Sequence, residues 1–308
     1  MQRPDSLLTT SYRYFAAVAE AGSVRGAAQA LNVAASAVSR QIILLEQQFN
    51  LPLFERRGRS LRLSAAGEVM LKGLKSVLQG HEVTLDHLDA LRGLKRGRIR
   101  IATVESISVS ALPDLLAQFA TDHPGVEIVV TVAGSDAVTD LVRSHDADIG
   151  FTFNPATLEG LDVRLVKEMQ IGAVMRRDHP LARERRLLFA HCLDYPVAWP
   201  ARGLSFRAIL DQLLASAKTS PPRAFECNSL RLMAALARRG RCIAFQTPIG
   251  IEQEIADGTL VFVPLANRRV PPDRLTIVHR PGSGPGLAAG VFLDLAAQRF
   301  SGRKSVRK

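Results

Sequence analysis

Apolar positions near the amino terminus recur every three or four residues, and this spacing predicts three short helices. The first helix ends near Gly22, and Ser23 is expected to be the N-cap of the second. The third helix starts near Ala35, directly after a turn at residues 32–33. Its buried stripe consists of Val38, Ile42 and Leu45. Two helices joined by so short a turn predict a helix-turn-helix.

Four side chains at the start of the third helix lie off its buried stripe: Ala35, Ser36, Ser39 and Arg40. In helix-turn-helix proteins this end of the second helix of the motif faces the base edges of DNA. Arg40 can pair with guanine or with a phosphate, and Ala35 can contact a thymine methyl group. An ordinary amphipathic helix with a solvated face would show the same stripe, so this helix alone leaves both interpretations open.

The following segment alternates basic and apolar side chains around a glycine, which predicts a two-stranded wing. Residues 1–64 contain eight arginines and no lysine against four acidic residues. This surplus suits the phosphates of DNA, and a solvated charged hairpin is the alternative. Arg56, Arg57 and Arg59 are the expected wing contacts, and Ser23 completes the set of expected DNA-binding residues.

Ser64 is expected to start a long helix that runs to about Gly93. Its apolar positions recur at near-helical spacing and are Val69, Leu74, Val77, Leu78, Leu85, Leu88 and Leu91. Such a helix, of roughly 27 residues, would be about 40 Å long. An apolar stripe of that length needs cover, which a second copy of the chain supplies most simply. Packing within the same chain is the alternative.

After residue 97 strands and helices alternate, which predicts an α/β sheet with parallel strands. The strands are expected at 98–103, 126–132 and 147–152, and the helices at 111–123 and 136–145. In such sheets the ligand lies beyond the carboxyl ends of the strands. The loops at those ends are 105–106, 134–135 and 152–154.

A second lobe is expected at 162–266, after which a strand at 275–279 and a helix at 289–300 return to the first lobe. The expected residues of the cleft between the lobes are Ser106, Ser135, Thr152, Trp199, Phe206, Asn228, Ser229 and Gln246. Ser229 is expected to cap an inward-pointing helix, which would favour an anion. Residues 163–266 hold fifteen lysines and arginines against nine acids, which also favours an anionic ligand. The alternative is that these serines and threonines only cap helices.

The chain of 308 residues carries a formal net charge of +11, which suits a polyanionic partner. Its three cysteines show neither disulfide nor zinc spacing, which indicates a reducing compartment and favours buried structural thiols over a redox pair. We recognise no signal peptide, membrane-spanning run, hydrolase motif or dinucleotide fingerprint. We therefore expect a cytoplasmic protein that is not an enzyme and needs no cofactor or metal.

Residues 15–68 resemble the LysR-type transcriptional regulators. The resemblance rests on the order of SVRGAAQAL, SAVSRQI, LPLFER and LSAAGE. It implies an α/β chain with a winged helix-turn-helix DNA-binding domain (1–64) and a dimerising linker helix (65–93). The regulatory domain (97–301) would have two lobes like a type 2 periplasmic binding protein, lobe I comprising 97–161 and 267–301 and lobe II comprising 162–266. A basic tail (302–308) would follow.

The resemblance also implies what the chain binds. The expected partners are double-stranded promoter or operator DNA, a small effector such as a carboxylate, RNA polymerase, and further copies of the chain. The linker helix would form a dimer, and a homotetramer associated with the nucleoid would be the working form. The alternatives are an architectural DNA-binding protein without a ligand and, more weakly supported, an enzyme that uses the cleft.

Overall fold

The structure is a computed structural model that describes residues 8–57, 60–91, 97–217, 223–266, 270–281 and 286–301. The chain divides into two compact units, Met1–Leu85 and Asp86–Lys308. The first unit is mainly helical, whereas the second contains two five-stranded sheets.

Three helices, α1 (Thr10–Ala21), α2 (Val24–Leu31) and α3 (Ala35–Phe49), build the core of the first unit. Gly22 ends α1 at a φ of 63° and Asn32 ends α2 at a φ of 54°. Glycine and asparagine adopt this left-handed conformation at low cost, so both helices end where the sequence predicts. Phe15, Val18, Ala27 and Val38 are fully buried in this core.

Two short antiparallel strands, β1 (Phe54–Arg57) and β2 (Ser60–Leu63), form the expected wing. The long helix α4 (Ala65–Leu91) has 27 residues and starts at the expected position. The Ser64 hydroxyl accepts a hydrogen bond from the Gly67 amide at 3.1 Å, as an N-cap does. A Cβ atom on Gly67 would lie 2.1 Å from the carbonyl oxygen of Leu53, so only glycine lets the first turn of α4 approach the chain before the wing.

The strands of the second unit are β3 (Gly97–Thr103), β4 (Val126–Val132), β5 (Ile149–Phe153), β6 (Asp162–Met169), β7 (Gly172–Arg176), β8 (Val197–Pro200), β9 (Arg223–Cys227), β10 (Ile243–Gln246), β11 (Leu260–Pro264) and β12 (Asp273–His279). Its α-helices are α5 (Glu105–Ser108), α6 (Ala111–Asp122), α7 (Ser135–Arg143), α8 (Phe189–Cys192), α9 (Arg207–Ala217), α10 (Leu230–Arg238), α11 (Glu252–Ala256) and α12 (Leu287–Ser301). A short 3-10 helix spans Pro180–Arg183.

Each sheet of the second unit has a parallel centre and antiparallel additions. The sheet of lobe I has the order β4-β3-β5-β12-β6, and β3 is parallel to both β4 and β5. The sheet of lobe II has the order β11-β7-β10-β8-β9, and β8 is parallel to both β9 and β10. In each lobe the carboxyl ends of three parallel strands therefore meet at one edge, where a ligand site is expected.

Strand β6 belongs to lobe I, which corrects the expectation that lobe II begins at residue 162. It pairs antiparallel with β12 from Met169 opposite Asp273 to Asp162 opposite His279. The chain therefore crosses to lobe II after Met169. Strand β12 is also antiparallel to β5, so the sheet is mixed and not wholly parallel. Helix α5 and strands β6 and β11 were not predicted from the sequence.

Candidate nucleic-acid interface and effector cleft

The start of α3 presents a polar surface because its opposite side is fixed in the core. Val38 is fully buried and Ile42 and Leu45 are nearly so, as the helical spacing predicts. Ser36 and Arg40 are exposed on the other side of the helix. Ala35 and Ser39 are half-buried at the boundary. The helix thus offers hydroxyl and guanidinium groups to a partner without disturbing its own packing.

Two hydrogen-bonded side chains fix the position of α3 within the unit. The Ser11 hydroxyl of α1 donates to Gln41 Oε1 at 2.6 Å. Glu46 Oε1 accepts from the amides of Leu53 at 2.7 Å and Phe54 at 3.3 Å, which joins α3 to the start of the wing. Gln41 therefore fixes α3 against α1, and Glu46 orients α3 with respect to the start of the wing.

The remaining expected DNA contacts lie around this surface. Ser23 is half-buried, and its hydroxyl accepts from the Gly26 amide at 3.1 Å, so it caps α2. The backbones of Arg56 and Arg57 belong to β1. The side chains of these two arginines, and Arg59 as a whole, lie outside the described residues.

An apolar groove of about 840 Å³ runs between the first half of α4, the start of α1 and the end of α3. It contains large apolar side chains that are strongly exposed: Val69 is 74% exposed and Val77 57%. The neighbouring Leu51 is 53% exposed. Isolated apolar residues are common on protein surfaces, but a contiguous apolar groove of this kind indicates a surface that binds another apolar surface.

In the second unit a cavity of about 410 Å³ lies between the strand ends of the two lobes. Five of the eight expected cleft residues line it: Ser106, Ser135, Phe206, Asn228 and Ser229. Ser106 and Ser135 follow strands of lobe I, whereas the other three follow strands of lobe II. The carboxyl ends of the parallel strands of both lobes thus contribute to one cavity, as the topology requires.

The other three expected cleft residues do not line this cavity. Thr152 is fully buried in β5, and its hydroxyl donates to the carbonyl of Ser135 at 2.9 Å. Trp199 is fully buried in lobe II, where its ring packs near those of Phe189 and Phe245. Gln246 is 1% exposed. Thr152 therefore holds Ser135, which lines the cavity, whereas Trp199 and Gln246 are buried outside the lining.

Glu105 connects the two lobes across the cavity. Its Oε1 accepts from the Ser229 hydroxyl at 2.8 Å, and its Oε2 accepts from the amide of Leu230 at 2.7 Å. Ser229 caps α10, because its hydroxyl also accepts from the Leu232 amide at 3.1 Å. A carboxylate of lobe I therefore lies at the positive end of a lobe II helix, where such a charge is favourable.

Asp273 is a second carboxyl group of the cavity and is only 3% exposed. Its oxygens accept from Asn154 Nδ2 at 2.8 Å and from the Ser205 hydroxyl at 3.1 Å. Burial raises the pKa of Asp273 to about 7, although the hydrogen bond from Ser205 opposes this rise. Since Ser205 belongs to lobe II and Asp273 to lobe I, this pair also spans the cleft.

Glu105 and Asp273 were not predicted from the sequence as site residues. Glu105 stands in a loop that was expected at the cleft, and its position at the end of β3 was the available signal. Asp273 follows two prolines and lay outside the expected strand, so nothing in the sequence indicated its burial. Among the described residues no cluster of His, Cys, Asp and Glu could hold a metal ion.

The cysteine thiols are held in their protonated form. Burial raises the pKa of Cys192 to about 12 and that of Cys242 to about 11. Burial also raises the pKa of Cys227, with a smaller contribution from the charge of Glu226. Because the thiolate is the reactive species, these environments favour inert thiols. No helix of the described part is both long enough and apolar enough to cross a membrane.

A winged helix-turn-helix together with a two-lobed cleft defines a class of DNA-binding proteins that respond to a small molecule. Comparison with known families gives a more specific assignment. The model of the "Bacterial regulatory helix-turn-helix protein, lysR family" matches residues 9–68, and that of the "LysR substrate binding domain" matches residues 92–301. The chain belongs to the LysR family of transcriptional regulators. It is a DNA-binding regulator with an effector-binding domain, and it is not an enzyme.

Individual proteins agree with this assignment. The chain is 27% identical over 256 residues, or 82% of each chain, to a probable nitrogen assimilation transcriptional activator of Synechococcus elongatus. It matches the structure of a full-length OxyR variant from Pseudomonas aeruginosa with a TM-score of 0.74 at 19% identity, covering 98% of this chain and 99% of that one. It matches full-length CbnR in complex with its target DNA with a TM-score of 0.61 at 22% identity, covering 94% and 98%. At these identities the two structures show a shared fold.

Proposed function

We propose that this regulator binds promoter DNA through the start of α3 and the wing. The proposed contacts are Ser23, Ala35, Ser36, Ser39, Arg40, Arg56, Arg57 and Arg59. The observation that carries this proposal is the exposure of Ser36 and Arg40 opposite a stripe of α3 that is anchored in the core. The similar fold of CbnR, whose structure contains its target DNA, supports it. We divide the chain into a DNA-binding domain (1–64), a linker helix (65–93), a regulatory domain (97–301) and a basic tail (302–308).

The apolar groove beside α4 suits a second copy of the chain. Its exposed valines, Val69 and Val77, lie eight residues apart on α4, so they share one face of the helix. Pairing these faces would cover them and would also pair two DNA-binding units. A twofold arrangement suits two half-sites about one helical turn apart. We propose a dimer through α4, and a homotetramer as the working form.

The cavity of the regulatory domain is the proposed effector site. The proposed contacts are Ser106, Ser135, Phe206, Asn228 and Ser229. Thr152, Trp199 and Gln246, which do not line the cavity, are not proposed as contacts. Effector binding would change the closure of the lobes and thereby the angle between the paired DNA-binding units. That change would relax DNA bending at the promoter and allow recruitment of RNA polymerase. The regulator would act at the nucleoid.

An architectural DNA-binding protein without a ligand is the second candidate. The cavity of about 410 Å³ favours the ligand-responsive regulator, because DNA bending does not require such a site. The two candidates differ in whether a small molecule alters the footprint on DNA.

The test combines selection from a random duplex library with sedimentation of the full-length chain. We expect a selected sequence with two related half-sites, and a protein that sediments as a dimer or tetramer. A footprint on the selected duplex is then recorded with and without small-molecule extracts of the host. A monomer that selects no sequence would contradict the proposal, and a footprint that no extract changes would favour the architectural protein.

A further inference from the structure

The charged groups of the effector cavity are mainly acidic. Among the described residues that line it, three are ionisable: Glu105, Asp273 and Arg202. Asp273 is buried and Glu105 half-buried, whereas Arg202 is exposed. Of the fifteen lysines and arginines in residues 163–266, Arg202 is the one that lines the cavity among the described residues. The described lining therefore lacks the surplus of positive charge from which the sequence predicts an anionic ligand.

The helix end that would attract an anion is already occupied by Glu105. The oxygens of this carboxylate accept from the Ser229 hydroxyl and from the amides of Leu230 and Arg231, the last at 3.4 Å. A free anion would have to displace this carboxylate from α10. Helix α7, whose first residue Ser135 lines the cavity, carries Asp136 in its first turn, and this carboxylate complements the positive end of the helix.

Asp273 is placed to receive a positive charge. Both of its hydrogen-bond donors, Asn154 and Ser205, are neutral, and no ion pair joins it to a cation within the described residues. A buried carboxylate without a counter-charge is costly, and the raised pKa of Asp273 reflects that cost. A cation bound beside Asp273 would stabilise the ionised carboxylate and would gain a charge-assisted hydrogen bond.

The rest of the described lining is largely apolar. Large apolar side chains come from both lobes and include Val132, Phe153, Leu204, Phe206 and Leu230. Such walls favour a ligand with a hydrocarbon part, whereas the few polar groups fix its orientation. A volume of about 410 Å³ suits a small metabolite.

We propose that the effector of this cavity carries a protonated amino group, which Asp273 receives, on a short apolar carbon chain. The proposal rests on the proposed function of the cavity as the effector site. It names a class of ligand opposite in charge to the carboxylates that the sequence suggested.

The test uses three probes that share a four-carbon chain and differ in charge: butylammonium, butan-1-ol and butyrate. The full-length protein is titrated with each at about pH 8.5, where an alkylamine is protonated and Asp273 is ionised. Thermal unfolding is followed at constant ionic strength. We expect butylammonium to raise the Tm in a saturable manner, and butan-1-ol and butyrate to have little effect.

The Asp273→Asn variant should bind butylammonium at least about tenfold more weakly, because an amide cannot replace the charge. Asp122→Asn, which removes the same charge from an exposed position of α6, should bind it like the wild type. The wild type provides a test without any variant: its affinity for butylammonium should fall as the pH drops below about 7, where Asp273 takes up a proton. Glu105 is the other carboxyl group of the described lining, and the same titration of Glu105→Gln separates its contribution from that of Asp273.

Three outcomes would overturn the proposal: stabilisation by butyrate equal to that by butylammonium, unchanged affinity in Asp273→Asn, or no response to any probe. The proposal would also be overturned if the affinity for butylammonium no longer depended on pH in Glu105→Gln but still depended on pH in Asp273→Asn. Binding of selected duplex DNA is measured on the same preparations. A chain that selects DNA but ignores the amine contradicts only the ligand class, whereas a chain that selects no DNA contradicts the proposed function.

Discussion

Replacing Asp273 with asparagine should remove one pH dependence from the stability of the regulatory domain. Asp273 is 3% exposed, and burial raises its pKa from the ordinary value of 3.8 to about 7. In the unfolded chain the group returns to its ordinary pKa. Between these two values the folded protein holds a proton that the unfolded chain has released, so protonation favours folding there.

The magnitude follows from the difference between the two pKa values. A rise of about three units corresponds to about 4 kcal/mol, at about 1.36 kcal/mol per unit. This contribution is fully present below about pH 4 and is lost as the pH rises through about 7. Asparagine does not titrate, and its single amide oxygen can accept from only one of the two donors, Asn154 and Ser205, a loss that does not depend on pH. The stability of the wild type relative to Asp273→Asn should therefore fall by up to about 4 kcal/mol between pH ~4 and pH ~8.

The chain offers a convenient probe for this measurement, since its one tryptophan, Trp199, is fully buried in lobe II. Guanidinium unfolding followed by Trp199 fluorescence gives the free energy of unfolding at each pH. Asp122→Asn serves as the control, because it removes an exposed carboxyl group and should leave the profile of the wild type unchanged. A constant difference between wild type and Asp273→Asn over the whole pH range would refute the reasoning, because it would mean that Asp273 titrates normally in the folded protein.

Four further predictions concern other parts of the molecule. Arg40→Ala should weaken binding to the selected duplex by about 1–3 kcal/mol and binding to random DNA by much less. The control variant Arg185→Ala, which removes an exposed arginine of the second unit, should change neither. Equal losses on both duplexes would argue against base recognition by Arg40. Glu46→Ala should lower the free energy of unfolding by about 1–3 kcal/mol, because two amides lose their acceptor, and Glu46→Gln should lower it less; equal stability of the two variants in denaturant titrations would exclude that role. Val69→Asp should dissociate the oligomer in sedimentation experiments, whereas a monomeric wild type would rule out pairing through this face. Cys192 should react with a disulfide reagent only after unfolding, and rapid labelling of the native chain would show that its thiol is not held protonated.

The sequence predicts the regular elements well where the apolar spacing is strong. The start of α3 at Ala35 and the bounds of β4 at Val126 and Val132 agree with that spacing. The pairing of strands within a sheet is harder to predict. The alternation of apolar and polar residues tells which side chains share a face of a strand, but not which strand lies alongside. Strand β6 illustrates this limit, since its pairing with β12 depends on residues more than a hundred positions away.

The cleft shows a second limit of prediction from sequence. Strand β8 is buried on both faces, so its pattern does not tell whether Trp199 faces the cavity or the core. The burial of Asp273 was not predicted, because an isolated aspartate beside two prolines resembles an exposed turn. Its burial results from the return of the chain from lobe II, where Ser205 reaches it. Contacts of this kind arise only when both lobes are folded.

The contact of Glu105 with α10 has a consequence for the resting state of the regulator. Three hydrogen bonds from α10 to this carboxylate join the two lobes, and the bond from Ser205 to Asp273 adds a fourth. We therefore expect the ligand-free protein to populate a partly closed form, so that some transcriptional output exists before any signal arrives. Substitutions of Glu105 would change the level of transcription without effector and the effector concentration needed for a response. The DNA sequence that the protein recognises would stay the same.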